Sequence, residues 1–400
     1  MTNIFEGLKV IDCASFIAAP AAATILSDFG ADVIKIEPPV AGDPGRQLWK
    51  LPGMPKSEHN FGWMLDNRNK RSLTLELSKP EGQAVIRKLV SQADVFITNY
   101  PLAVRERLGI GYDALTAEND RLIYASFTGY GERGDEAAKP GFDMTAWWAR
   151  SGLMDMVREH ADAAPVRATS GMGDHPSAMT LFAGIVMALY QRVQTNVGTQ
   201  VSSSLIANGV WSNAFSAQAA LCGAEFTPRP PREHGQNALS TYYRCRDGKW
   251  LILTVLNEER QWADFAECVG RPDLICDSRF STRAGRHARS VELIAILDEA
   301  FATKDRSEWR SNLSAKGLVF EVVASPEDIP YDKQMLANGV LTQFEGDDMM
   351  TVANPLNVDG APKVTPRHPP ALGQHSDEVL REAGYDESAL VELRASGTIT

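Results

Sequence analysis

Leu8-Lys9-Val10-Ile11-Asp12, an alanine-rich run from Pro20 to Asp28, Gly30, and then Asp32-Val33-Ile34-Lys35-Ile36 make up the segment that decides the fold. The first piece is a short strand pattern and the second has helical spacing. Gly30 is a helix stop ahead of a second strand. The alternation then continues. Beyond a Pro/Gly-rich loop from Pro38 to Gly45, Ser72 to Leu77 alternates as a strand and Pro80 opens a helix through Ala93. Asp94 to Thr98 and Leu122 to Phe127 read as further strands. Strands alternating with helices of about 10–15 residues predict an α/β fold with a doubly wound parallel sheet.

Ser177 to Gln194 is apolar almost all round, which predicts a helix buried on most sides. Gly198 ends the connection, and Val201 starts a segment that runs into a helix near Leu205 to Cys222. The Pro-rich, charged stretch from Thr227 to Gly235 suits a linker. After it, Lys249 to Leu256 reads as a strand, with helical segments at Gln261 to Gly270 and Val291 to Thr303. These signals divide the chain into a large domain beginning over 1–225, a smaller domain over 236–325, and a return segment over 326–400 that completes the large one. The tail from Ser376 to Ser396 has helical periodicity in two pieces split at Gly384.

At 400 residues, with 44% hydrophobic and 23% charged side chains, the chain suits an ordinary globular protein of two domains. The formal charge of −11 argues against a nucleic-acid surface, although local Arg and Lys residues can still hold an anionic ligand. No apolar stretch is long enough to span a bilayer, and the N-terminus lacks the pattern of a signal peptide. The five cysteines (Cys13, Cys222, Cys245, Cys268 and Cys276) are scattered without a CxxC, and the seven histidines show no metal-ligand spacing. Reduced, buried thiols in a cytoplasmic protein without a metal site are the expectation.

A doubly wound sheet raises the question of a nucleotide cofactor. The glycine fingerprint for one is missing: the first strand is followed by Ser15-Phe16-Ile17-Ala18-Ala19-Pro20-Ala21. No P-loop and no GxSxG elbow occurs either, so dehydrogenase, NTPase and serine-hydrolase readings lose their central part. Ala18, Ala19 and Ala21 either let backbone approach a ligand or simply pack a helix tightly on the sheet.

Several segments, in order, resemble class III CoA-transferases, a family that includes formyl-CoA, carnitine and bile-acid CoA-transferases and the related α-methylacyl-CoA racemases. They are Gly30-Ala31-Asp32-Val33-Ile34-Lys35-Ile36-Glu37-Pro38-Pro39, Gly42-Asp43-Pro44, Asn69-Lys70-Arg71-Ser72, Asn99-Tyr100, Arg107-Leu108-Gly109, Gly129-Tyr130-Gly131, Gly171-Met172-Gly173-Asp174 and Leu372-Gly373-Gln374-His375. The likeness spans nearly the whole chain. It implies a Rossmann-like large domain containing both termini, a smaller α+β domain, and an interlocked homodimer. It also implies transfer of coenzyme A between an acyl-CoA and a small carboxylic acid. The CoA thioester would be a substrate, with no tightly bound cofactor.

By the same resemblance Asp174 is the nucleophile. Read alone, it is better taken as an N-cap of the helix that follows. Asn99, Tyr100, Arg107, Leu108 and Lys139 match positions around the nucleotide and phosphates of CoA, and Ala18 and Leu75 match positions whose backbone lines its cleft. For Arg107 and Lys139 a solvated surface charge is the alternative. Gly173 and the first turn of the next helix are candidate oxyanion donors.

Three departures narrow the chemistry. Ile17 stands where formyl-CoA transferase has glutamine, and Pro38 where it has arginine, which disfavours oxalate or formate as substrate. Its glycine-run lid is absent, with Gly235-Gln236-Asn237 the nearest candidate. Gly141-Phe142-Asp143 replaces the Gly-His-Asp of the racemases, and a phenyl ring cannot move an α-proton. Phe16-Ile17-Ala18-Ala19-Pro20, Pro140-Gly141-Phe142-Asp143, Trp147-Trp148 and Gly173-Asp174-His175 look most like transferases for 2-hydroxy acids and aryl acids. Phe16, Ile17 and one tryptophan could line an apolar acyl pocket; core packing is the other reading of the tryptophans. Asp143 could support the site or be structural, and His175 could be a base or a hydrogen-bonding residue at the helix start. An acyl-CoA racemase and a non-catalytic acyl-CoA binding protein are the competing functions.

Overall fold

In the computed structural model, which describes residues 3–400, the strand patterns build one six-stranded sheet in which every neighbouring pair is parallel. Its strands are β1 (Lys9–Cys13), β2 (Asp32–Glu37), β3 (Arg71–Thr74), β4 (Val95–Thr98), β5 (Ile123–Thr128) and β6 (Thr199–Ser204). Their spatial order is β3-β2-β1-β4-β5-β6, the Rossmann-like order, which reverses direction between β1 and β4. The period of two along each strand sends alternate side chains to opposite faces. Val10, Val33, Val95, Ile97, Ile123 and Ala125 meet the Ala18–Asp28 and Asp174–Thr195 helices. Ile11, Ile34, Ile36, Leu73, Phe96 and Tyr124 meet the Pro80–Val90 helix and the two C-terminal helices, Ser376–Glu382 and Glu387–Ala395.

Every residue of the Ala18–Asp28 helix is buried, which its small side chains permit. β3 stops at Thr74, short of the Leu77 that its alternation predicts. Leu75 N–H still donates to Glu37, but Glu76 N–H turns away to the carbonyl of Thr398 in the C-terminal segment. The helix expected from Ser177 begins at Asp174. It is buried along one stripe only, through Ser177, Ala178, Leu181, Phe182, Ile185 and Ala188. Met187, Tyr190 and Val193 are 73%, 68% and 83% exposed, so burial on most sides is not what the chain adopts by itself.

The chain forms two compact units: one of residues up to 156, 167–222 and 334–400, the other of 157–166 and 223–333. The second has its own antiparallel sheet, β7 (Tyr242–Arg244), β8 (Trp250–Leu253) and β9 (Phe320–Val322). Its helices Glu258–Cys268, Ser290–Phe301 and Arg306–Ala315 enclose Tyr243, Leu251, Phe265, Leu297, Phe301 and Trp309. All five cysteines are free thiols, but only Cys13 and Cys245 are buried as expected; Cys268 is half-buried, and Cys222 and Cys276 are exposed. Among the described residues, no helix is long and apolar enough to cross a membrane.

Candidate active site

Ligands of open α/β sheets bind beyond the carboxyl ends of the strands, where the strand order reverses. Here that point lies between β1 and β4, and the two strand ends are tied together across it. Ser15 N–H donates to Asn99 Oδ1 at 2.8 Å, and Asn99 Nδ2 donates back to Ser15 O at 2.7 Å. Asn99 therefore fixes the spacing of the two loops that follow.

The loop after β1 is held from below by buried charge. Lys70 Nζ lies 2.8 Å from Asp12 Oδ2, which is 3.5 Å from Lys35 Nζ, and Lys35 lies 2.8 Å from Asp43 Oδ2. Burial works against the Lys35 ammonium, but Asp12, Asp43 and Glu37 hold its pKa above the usual lysine value. Burial pulls Lys70 down to about 8 despite Asp12, and the neighbouring Lys35 charge adds to that fall. Lys35 also donates to Ala14 O at 2.5 Å, and Asp43 Oδ1 accepts from Phe16 N–H at 3.1 Å. These bonds secure Phe16 in the left-handed region at φ 67°, a conformation that costs a bulky residue on the order of 1–3 kcal/mol. The sequence shows Lys35 and Asp43 only as parts of a motif. Charged residues inside a strand of a sheet covered on both faces were the available signal for this network.

Ser15, Phe16, Ile17 and Ala18 form one wall of a cleft of about 380 Å³. Asn99, Tyr100 and Pro101 follow from β4, and Phe127, Thr128 and Gly129 from β5. Lys139, Phe142, Asp174 and Leu205 complete the parts used here. Gly129 and Gly141 approach so closely that a Cβ on Gly129 would come within 2.9 Å of Gly141 Cα. Phe142 meets Phe16 edge to face at 5.5 Å, so the phenyl ring is an apolar wall of the cleft.

Of the residues singled out from the sequence, Ala18, Asn99, Tyr100, Lys139 and Asp174 converge on this cleft. Leu75, Arg107 and Leu108 are outside its lining. Leu75 is core, Leu108 packs on that core beside Tyr100, and Arg107 ends the exposed face of the short Leu102–Arg107 helix. Lys139 is exposed, 2.7 Å from Glu136 and above the Tyr130 ring. Trp147 and Trp148 are stacked in the core, so neither lines the cleft; Phe127, Phe142 and Leu205 take the place expected for a tryptophan. Gly235-Gln236-Asn237 belongs to the second unit.

Asp174 is the first residue of its helix. Gly173 is the cap, so the Asp174 carboxylate is not spent on capping. A Cβ on Gly173 would lie 2.5 Å from the Trp147 ring, which explains the glycine. No hydrogen bond holds the Asp174 carboxylate among the described residues. Burial foremost, then the nearby Asp143, push its pKa up to about 7, with His175 acting in the opposite direction. Asp143 is committed to the backbone, accepting from Met144 N–H at 2.6 Å and Gly171 N–H at 2.9 Å. His175 touches Asp66 and the Gly171 carbonyl. Asp66 carries no motif and was not legible as part of the site. A half-buried, unbonded carboxylate at a helix N-terminus, facing an apolar cleft, is equipped to attack an electrophilic carbon.

Comparison with known proteins identifies the family. The family model described as CoA-transferase family III matches residues 5–376. An (R)-2-hydroxy-4-methylpentanoate CoA-transferase of Clostridioides difficile is 34% identical over 99% of this chain and 99% of its own. A cinnamoyl-CoA:phenyllactate CoA-transferase of Clostridium sporogenes is 32% identical over 98% of this chain and 96% of its own. A crystal structure of a CaiB/BaiF family protein from Brucella suis superposes with a TM-score of 0.86 at 27% identity, covering 96% of this chain and 100% of that one. The match over nearly the whole length, around a cleft with an uncommitted carboxylate, makes this chain a member of CoA-transferase family III and an enzyme of the CoA-transferase class.

Proposed function

We propose that the protein transfers coenzyme A between an acyl-CoA and a free carboxylic acid with a medium-sized apolar chain, using Asp174 as a covalent nucleophile. The observation that carries the reading is the Asp174 carboxylate, unbonded and half-buried in a cleft walled by Phe16, Ile17, Phe127, Phe142 and Leu205.

Asp174 attacks the thioester carbonyl carbon. The C–S bond breaks, CoA leaves as thiolate, and a mixed anhydride remains. The thiolate attacks the aspartyl carbonyl of that anhydride, which releases the donor carboxylate and leaves an aspartyl-CoA thioester. The acceptor carboxylate opens this thioester to a second anhydride, and the thiolate takes the new acyl group and restores Asp174. Each step exchanges activated acyls of similar energy, the advantage of covalent catalysis. Gly173 and the first turn of the Asp174–Thr195 helix offer N–H donors for the oxyanions, worth several kcal/mol in the transition state. The apolar walls keep water from the anhydride.

Asn99, Tyr100 and Lys139 border the nucleotide end of the CoA, with the backbone of Ala18 along it. Arg107 and Leu108 reach the adenine and phosphate end from the helix beyond Tyr100. The molecule works in the cytoplasm as a homodimer of interlocked chains. The apolar side chains of Met187, Tyr190, Val193, Trp211, Phe215 and Leu221 are more than two-thirds exposed on the isolated chain, which supports an extensive partner surface.

A mass-spectrometric screen of acetyl-CoA and succinyl-CoA against a panel of carboxylic acids tests this reading. Branched 2-hydroxy acids and aryl acids should accept CoA, and oxalate and formate should not. Deuterium uptake at the α-carbon of an acyl-CoA without exchange would point to racemisation instead. Acyl-CoA binding without any exchange would point to a binding protein.

A further inference from the structure

The imidazole of His175 is flanked by two acceptors. Nδ1 lies 3.1 Å from the carbonyl of Gly171, and Nε2 lies 3.0 Å from Oδ1 of Asp66. A carbonyl oxygen can only accept, so Nδ1 carries a proton; a carboxylate accepts as well, so Nε2 carries the other. The clamp is built into the backbone. Gly171 has φ +80°, and a Cβ there would stand 3.1 Å from His175 Cε1 and 3.2 Å from Nδ1, so the glycine makes room for the ring. Its N–H is fixed by Asp143. Asp66 is buried, and its own carbonyl accepts from Lys70 Nζ at 2.8 Å and from Thr24 Oγ1 at 2.5 Å.

We propose that His175 is a fixed imidazolium clamped between Asp66 and Gly171, a positioning residue whose charge keeps the adjacent Asp174 carboxylate ionised for attack. The inference rests on the reading of Asp174 as nucleophile and specifies how that site stays charged. A general base has no place here, because both ring nitrogens are occupied as donors. The transfer cycle needs none either: each step exchanges one anion, carboxylate or thiolate, for another, and no proton moves. A constant positive charge beside the nucleophile is what such a cycle uses.

The groups facing the pair are Asp66 from the Phe61–Asn67 helix, Asp143 from the segment before Trp147, and Asp174 itself. Tyr100 and Lys139, the latter paired with Glu136, share the cleft with Asp174. Burial alone disfavours the charged ring, but the hydrogen bond and charge of Asp66, with Asp174 and the Gly171 carbonyl, hold His175 above the usual histidine value.

Two measurements on the full-length protein test this, with Asp174→Ala alongside. In the first, ring-nitrogen NMR of histidine-labelled enzyme, the His175 signal is assigned by its absence from His175→Gln. It should show an imidazolium at about pH 7.5, where an ordinary imidazole is about nine-tenths neutral. In Asp66→Asn it should become neutral with the proton on Nδ1. In the second, kcat/KM against pH, His175→Gln should lose roughly tenfold near pH 6.5 and little near pH 8.5, as expected when a carboxylate loses a neighbouring cation. Asp66→Asn should move the acid limb the same way but less, because it removes an anion along with the charge on the ring.

A neutral His175 in the unmodified enzyme overturns the proposal, and that measurement needs no variant to fold. A charged ring with activity lost evenly at every pH also overturns it, since the charge would then do nothing for Asp174. Full exchange by Asp174→Ala is a different failure and condemns the nucleophile assignment instead.

Discussion

Lys35 Nζ and Asp43 Oδ2 stand 2.8 Å apart beneath the cleft, with side-chain exposures of 0% and 1%. The other oxygen of Asp43 takes the N–H of Phe16, so this ion pair is joined directly to the wall of the site.

Lys35→Met should be strongly destabilising, because it leaves Asp12 and Asp43 buried with one cation fewer. Breaking such a pair costs about 3–5 kcal/mol, whereas Asp43→Asn, which keeps an acceptor for Phe16 N–H, should cost less. Urea unfolding of both single variants and the double variant checks this. Losses that simply add would mean the two side chains are energetically independent.

Asp174 provides a pH-dependent test of stability. Its folded pKa, about 7, lies above the ordinary 3.8, so between these values the folded protein holds a proton that the unfolded chain has released. Stability from this group therefore declines as pH rises from about 4 to about 7 and stays lowered above it. Asp174→Asn, permanently neutral, should gain stability relative to the unmodified protein over that interval and hold the gain at higher pH. Denaturation midpoints at several pH values provide the comparison; a difference that does not vary with pH would show that Asp174 is not strained by ionisation.

The sheet was legible from the alternation of Val10, Ile11, Val33, Ile34 and Ile36 with the alanine helix between them, because period and stop signals are local. The cleft was legible in part. Asn99, Tyr100 and Asp174 sit in ordered motifs, Lys139 was a single matched position, and the structure gathers them in one place. Asp66 was not, since its partner His175 is 109 positions away and a lone aspartate near the end of the short Phe61–Asn67 helix has no local signature. The stripe of Met187, Tyr190 and Val193 reads as core in any sequence pattern; only coordinates show that this chain leaves it uncovered.

That uncovered stripe leads to a test of assembly. Phe215 is 94% exposed and Trp211 80% exposed. Phe215→Glu should weaken self-association, and sedimentation equilibrium should find a dimer for the unmodified chain and a rise in monomer for the variant. A monomeric unmodified protein at micromolar concentration would remove the homodimer from the account.

Ile17 should govern the choice of acid. Ile17→Gln places an amide among Phe16, Phe142 and Leu205, and should lower kcat/KM for branched and aryl acids by roughly tenfold relative to small polar acids. Competition between two acids for one acyl-CoA, read by mass spectrometry, measures the ratio. An unchanged ratio would put the acyl chain elsewhere.

The most direct measurement is to quench the enzyme during turnover with acyl-CoA, treat it with hydroxylamine, and map the modified peptide. The account requires a hydroxamate on the side chain at position 174, absent without acyl-CoA and absent in Asp174→Ala. Brisk exchange with an unmodified Asp174, or a hydroxamate on a different carboxylate, would contradict it.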